Sequence, residues 1–399
     1  MTKIHSVALR YFKSDKAPVV LNYRQVAPGH RQARLAGREG LVPEIALDQY
    51  SCKAVIDWIE IDLQLSRITQ QQWLADAIAG FGRRPFIKPI GPGEGKESSR
   101  FQVKFQEPDF PKLRRILAAI DRKHGIVSEP VVIGMEVSVD FTPRAPSDEA
   151  RARMMGVLAR QLAPSLDVFA AQAGMPRHSW GRGHRWARIQ KVPLGRDPYS
   201  FAVNDITSSP VADTTTYFGA DDSDDMVRVM DKVVDRQNTF AGTSDVLAAK
   251  DQRCRVEVTL RQGKLEELGV RHINDVARFK FAALQGSYFQ FKLATVRSLS
   301  GSEGPVAAYQ ERQRVQKFLL TGISGLAKMD LTLLEHDTVK RPVVRRALAK
   351  LGRTLPGRPR TGPGAYGTAF AYEGLCKTVQ TALSNLSRKL RGERGEEEA

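Results

Sequence analysis

This chain has little room for disulfide chemistry. Its 399 residues contain three cysteines, Cys52, Cys254 and Cys376, far apart in sequence. Neither a disulfide framework nor a cysteine-based zinc site has the residues it needs. An unbroken apolar run of about 18 residues, the minimum for a membrane-spanning helix, is also missing, as is a segment patterned like a secretory signal. A cytoplasmic protein with no membrane partner is therefore expected. Acid is in short supply too: 44 Asp and Glu face 61 Lys and Arg, a net charge of +17. Such an excess favours polyanionic partners through long-range attraction and counterion release. The plainer reading is a basic surface that keeps the protein soluble. Hydrophobic residues are not lacking: at 42% they suffice for cores in two to three domains.

What the chain does have is alternation. Residues 1–48 are basic and poorly periodic, with Arg31, Arg34 and Arg38 among glycines, and read as a DNA-gripping arm or a loose lead-in. Over 49–142 the pattern predicts strand, helix, strand, helix, strand. Val55, Ile59, Ile61 and Leu63 share a strand face opposite Trp58, Glu60 and Asp62. Thr69 can cap a helix carrying Trp73, Leu74, Ala77, Ile78 and Phe81, ended near Gly82. A Gly/Pro/Ser hairpin loop over 91–99 leads to Phe101, Val103 and Phe105, alternating with Arg100, Gln102 and Lys104. A helix over 111–123 carries Leu113, Ile116, Leu117 and Ile120. The strand over 131–141 sets Val131, Ile133, Met135, Val137 and Val139 against Glu136, Ser138 and Asp140.

In 143–300, Ser147 caps a helix with Asp148 and Glu149 in its first turn and a core stripe of Met154, Val157, Leu158 and Leu162. A helix around 273–285 and a strand over 288–293 close this part. Residues 301–351 read as a helical extension, and 352–399 as a Gly/Pro/Arg linker, a helix over about 369–390 and a charged tail. These elements suit an α+β fold with antiparallel sheets, helices packed on one face and helical C-terminal additions.

Two strands stand out. Over 226–232, Val227, Val229 and Asp231 share one face while Arg228, Met230 and Lys232 share the other. Over 253–260, Cys254, Val256, Val258 and Leu260 point one way, and Arg253, Arg255, Glu257 and Thr259 the other. Each strand buries an aliphatic face and turns cations outward, a floor for a polyanion. The segment 176–188 interleaves Arg177, Arg182, Arg185 and Arg188 with Trp180 and Trp186. That suits backbone neutralisation with base stacking on single strands, or a loop whose tryptophans plug a gap. His178 and His184, six apart, lack the close spacing of a metal pair.

The block Tyr217-Phe218-Gly219, Arg228-Val229-Met230-Asp231-Lys232 and Arg255-Val256-Glu257 resembles the replication initiation factor family: rolling-circle plasmid and phage initiators and the related relaxases of integrative elements. Met230 stands where that family carries its nucleophilic tyrosine. The resemblance implies two sheet-bearing halves and a metal-assisted tyrosine transesterification that nicks one strand at an origin. Met230 is excluded as the attacking group because a thioether has no acidic proton. Tyr217, flanked by Arg228 and Lys232, is then the catalytic candidate or an aromatic that holds the turn; Tyr199 and Tyr288 lie on other segments. Glu257 with Glu136 or Asp140 is the candidate ligand set for Mg²⁺ or Mn²⁺. Glu136 and Asp140 alone are too far apart, roughly 13 Å along a strand. Lys104, Arg177, Trp180, Arg182, Arg185, Trp186, Arg188 and Arg255 are the candidate DNA contacts, on single-stranded or hairpin origin DNA. A host helicase and a second copy of the chain are further candidate partners. The alternative is a DNA-binding regulator of a mobile element that keeps the fold without nicking.

Overall fold

Period-two alternation builds the sheets of this protein. The computed structural model describes residues 3–11, 14–29, 35–79, 86–91, 97–166, 176–180, 189–190, 211–238, 243–297, 305–352 and 369–392. Strands β1 (Ile4–Leu9), β2 (Val19–Val26) and β3 (Arg38–Pro43) come first. The long β4 (Tyr50–Gln70), α1 (Gln71–Ala79), β5 (Phe86–Ile90), β6 (Glu97–Gln106), α2 (Phe110–His124), β7 (Val131–Pro143) and α3 (Asp148–Gln161) follow. Next are β8 (Arg177–Trp180), β9 (Ile189–Gln190), β10 (Thr214–Phe218), β11 (Asp225–Lys232), the hairpin β12 (Val234–Asn238) and β13 (Thr243–Val246), and β14 (Arg253–Arg261). The chain continues through α4 (Gln262–Glu267), α5 (Ile273–Arg278), α6 (Gln285–Tyr288), β15 (Lys292–Leu293) and β16 (Thr295–Arg297). Last are α7 (Pro305–Lys350), β17 (Phe370–Ala371) and α8 (Glu373–Arg391).

The fold is α+β. Nine strands form one sheet in the order β5-β6-β4-β7-β14-β11-β10-β8-β9. The β7–β14 and β11–β14 pairs at its centre are antiparallel. Residues 49–142 supply its first four strands and later residues the other five, so both stretches of chain share one continuous sheet. One face carries Ile59, Ile61, Leu63, Phe101, Val103, Val137, Val139, Val227, Val229, Val256 and Val258, all buried. Helices α1, α2, α3 and α8 add to the same core, α8 through Leu375, Val379, Leu383 and Leu386. Ser147 caps α3 as its position in the sequence predicts, and Asp109 caps α2. Among the described residues no helix is long and apolar enough to cross a membrane.

Several expectations need correcting. Residues 4–43 are not an arm: β1, β2 and β3 form a four-stranded sheet with β16, burying Val7, Leu9, Leu21, Tyr23 and Leu41. β1, β2 and β3 pair with their chain neighbours, and the sheet is completed when Thr295 reaches Gly40. Arg38 hydrogen-bonds Thr295 at 2.7 Å, while Arg31 and Arg34 lie outside the described residues. Thr69 still belongs to β4, paired with Ser98, and does not cap α1. Val55 lies off the Ile59 face, because a bulge between Ile56 and Trp58 shifts the register by one residue. A second shift brings Val132 into the core while Val131 and Ile133 stay half-buried. The strand expected over 288–293 is shorter: Tyr288 ends α6 and only Lys292–Leu293 pairs, with β17. The long helix α7 breaks at Gly322, whose φ of 73° favours glycine and where a Cβ would lie 2.7 Å from Arg160 Cα. The linker over 353–367 and the tail over 393–399 lie outside the described residues.

Candidate nucleic-acid interface

The second face of the sheet carries charge. Residues directly opposite across antiparallel strands share a face, so the register sorts side chains into rows. One row runs Arg177, Tyr217, Arg228, Glu257, Ser138 from β8 to β7. The next runs Thr215, Met230, Arg255, Asp140, Lys53. On the other side lie Met226, Thr259, Glu136 and Trp58. Tyr217 and Met230 thus point from the same face, one row and one strand apart.

Carboxylates form the floor of this face. Glu136, Asp140 and Glu257 are buried, a costly placement for charge unless each finds a counter-ion. Glu136 and Glu257 meet on Arg228: its Nη2 lies 3.3 Å from Glu136 Oε2 and also bonds Glu257. Thr259 Oγ1 donates to Glu136 at 2.8 Å. Asp140 belongs to a different group, accepting from Arg253 Nε at 2.9 Å and from Arg255 Nε and Nη2 at 2.6 and 2.8 Å. Both acids proposed to join Glu257 share a cation with it: Glu136 shares Arg228, and Asp140 shares Arg255, whose Nη1 lies 3.9 Å from Glu257 Oε2.

Arg255, expected as a DNA contact, is 2% exposed and spent on structure. Its Nη1 donates to Asp57 at 2.6 Å, so one guanidinium ties β14 to β7 and to β4. Burial opposes its charge, and Asp140 and Asp57 more than offset that, leaving its pKa raised. Asp57 also pays for burial, but Arg255 holds its carboxyl below the usual range. The β4 bulge places Asp57 here, a residue that sequence reading missed. The break in period between Ile56 and Ile59 is the signal that pointed to it. Arg177 is likewise buried: it donates to Gly219 O at 2.7 Å and bonds Asp221, clamping the turn between β10 and β11. Its guanidinium carbon lies 5.6 Å from the centroid of the Tyr217 ring.

Above the floor sit cations that keep contact with solvent. Arg228 is 28% exposed, and its Nε has no hydrogen-bond partner among the described residues. Arg253 and Lys232 are half-buried, and Lys53 is exposed. Burial lowers the pKa of Lys232, with Arg255 adding to the effect and Asp57 opposing it. Burial also lowers that of Lys104, against the attraction of Glu136, Glu60 and Asp57. Lys104 Nζ lies 3.4 Å from the centroid of the Trp58 ring.

Among the described residues, no group of three His, Cys, Asp or Glu is placed to hold a metal ion. Glu136 and Glu257 bring two carboxylates together, and Arg228 holds the position between them. Beside them, Ser138 Oγ has no hydrogen-bond partner among the described residues. Tyr288 is removed from the list of attacking groups: it is buried, donates to Asp225 at 2.9 Å, and burial raises its pKa. Trp180 ends β8, whereas Arg182, His184, Arg185, Trp186, Arg188 and Tyr199 lie outside the described residues.

No protein-family model matches the chain. No curated protein sequence matches it either. Among solved structures it is similar to that of the rolling circle replication initiator protein from Geobacillus stearothermophilus. The identity is 13% and the TM-score 0.29, over 65% of this chain and 91% of that one. A likeness of that size carries no argument about activity.

Proposed function

We propose that this chain is a rolling-circle replication initiator or relaxase-like strand transferase that nicks one strand of origin DNA through Tyr217. The observation that carries the reading is the row Tyr217, Arg228, Glu257 on the charged face, with the Arg228 side chain 28% exposed. The tyrosine oxygen attacks phosphorus, the bond from phosphorus to the 3′ oxygen breaks, and that oxygen takes up a proton. The 5′ phosphate stays on the tyrosine, which conserves the phosphodiester energy for rejoining. Arg228 and Lys232 neutralise the charge that grows on the phosphorane oxygens. Tyrosine reaches ~6.5 Å from its Cα, and opposed Cβ atoms are about 5 Å apart, so its hydroxyl can meet a phosphate held by Arg228.

Glu136 and Glu257 would hold Mg²⁺ or Mn²⁺ once Arg228 turns to the phosphate. The bound ion would polarise that phosphate. Lys104 with Trp180, Arg182, Arg185, Trp186 and Arg188 extends the grip on single-stranded or hairpin DNA. Arg177 and Arg255 serve it indirectly, by fixing the turn and the floor. A cytoplasmic setting, a host helicase and a second copy of the chain belong to the same proposal.

The second reading is a DNA-binding protein of a mobile element that no longer nicks. Met230, on the charged face where the resembling family has its tyrosine, favours it. Incubating the purified chain with supercoiled origin DNA and Mg²⁺ or Mn²⁺ separates the two. Nicked and relaxed circles are expected, with none from Tyr217→Phe. Bound but fully supercoiled plasmid would establish the second reading.

A further inference from the structure

The charged face continues past the proposed nick site onto the strands of the first half. There the register makes another row: Phe86 on β5, Lys104 on β6, Glu60 on β4, Gly134 on β7 and Arg261 on β14. Phe86 is 66% exposed, on an edge strand. An exposed aromatic by itself is unremarkable. This one stands on the charged face rather than the core face, and its strand partner is Lys104, whose ammonium lies over Trp58. The Trp58 ring lies across β7 because residue 134 is glycine: a Cβ there would come within 3.0 Å of the ring. Lys88 on β5 and Arg261 on β14 are exposed cations at either end of this region.

We infer that exposed Phe86, flanked by Lys88 and by the Lys104 ammonium over Trp58, forms a stacking track for unpaired bases of single-stranded DNA running from the scissile position. From β10 to β5 there are six inter-strand steps of about 4.8 Å, roughly 29 Å along the sheet. That span accommodates several nucleotides. The Phe86 ring offers a π-face to any base, and the lysines and arginines beside it meet the phosphates. A protein partner would leave the row of cations without a role, whereas a polyanion uses them and the ring together. The inference rests on the reading of the same face as the nicking site.

The test is fluorescence anisotropy of the full chain with labelled single strands of about 4 and about 16 nucleotides, the span of single-strand-binding sites. Phe86→Ala should weaken binding of the longer strand by about 5- to 150-fold, the range for one stacked base. The shorter strand, held at the nick site, should bind as before. Phe86→Trp should restore affinity and Phe86→Leu should not. Unchanged binding of the longer strand by Phe86→Ala overturns the track, as does wild-type affinity in Phe86→Leu or an equal loss on duplex DNA. Thermal melting confirms that the edge-strand variants fold. Nicking of supercoiled DNA by the wild-type chain, read in parallel, keeps the two claims apart. Nicking with no Phe86 effect overturns only the track. A Phe86 effect without nicking keeps the track and removes the enzyme.

Discussion

The two faces of the nine-stranded sheet come from the same strands and solve burial in different ways. On one, Val227, Val229, Val256 and Val258 pack against helices and need no partner beyond shape. On the other, Arg228, Arg255 and Glu257 alternate with them and are held by named counter-ions. The apolar face is stabilised by area removed from water. The charged face is stabilised only while every charge keeps its partner, and removing one leaves the other buried and unpaired. The first face resists change through close packing, whereas the second is poised to exchange partners. Arg228, shared by two carboxylates and partly open to solvent, is where an incoming phosphate would make that exchange.

The largest expected effect separates chemistry from binding on the charged face. Glu257→Gln should lower single-turnover nicking by on the order of 10²-fold or more while DNA affinity stays the same or tightens slightly. Nicking at the wild-type rate would remove the carboxylates from the mechanism. Next comes stability. Arg255→Ala should cost about 3–5 kcal/mol in urea unfolding, because Asp140 and Asp57 lose their shared cation. Leu260→Ala, on the same strand facing the core, should cost about 2–5 kcal/mol. If Arg255→Ala costs less than about 1 kcal/mol, its ion pairs behave as surface pairs and the contrast between the faces fails.

Lys104→Ala should weaken DNA binding uniformly across sequences and reduce the slope of log affinity against log salt by about 1. An unchanged slope would take Lys104 out of the phosphate path. The smallest effect is a pH dependence at the edge of the core face, where Asp148 bonds Lys16 and Arg151, and Arg151 in turn holds Asp231. Lys16 foremost lowers the Asp148 pKa from 3.8 to about 2. Its contribution is therefore complete above its unfolded value of 3.8 and lost as pH falls towards 2. Replacing Asp148 by asparagine should flatten the stability profile in that window and leave it unchanged near neutrality.

The α+β class, the helices α2 and α3 and the face assignment of each charged residue on β11 and β14 were legible from periodicity, whereas the helix expected over 273–285 ends at Arg278. Which charges stay open to solvent was not legible. Arg255 reads as an outward cation, but its partners Asp140 and Asp57 lie 115 and 198 residues away in sequence. Asp57 itself reads as an unremarkable acid until a bulge turns it towards the site. Asp231 was correctly placed on the aliphatic face, yet only the fold brings Arg151 to it, at 2.7 Å. Of the amino-terminal strands, β1, β2 and β3 pair with one another, and only the fourth strand of their sheet, β16, comes from more than 250 residues on.

The central claim is that Tyr217 makes the covalent bond to DNA. It is tested most directly by trapping the chain on an oligonucleotide carrying the nick site, with Mg²⁺ or Mn²⁺, and mapping the adduct by mass spectrometry. The account predicts a single phosphotyrosine linkage at Tyr217, absent in Tyr217→Phe. An adduct on any other tyrosine, or none with either ion, would contradict it.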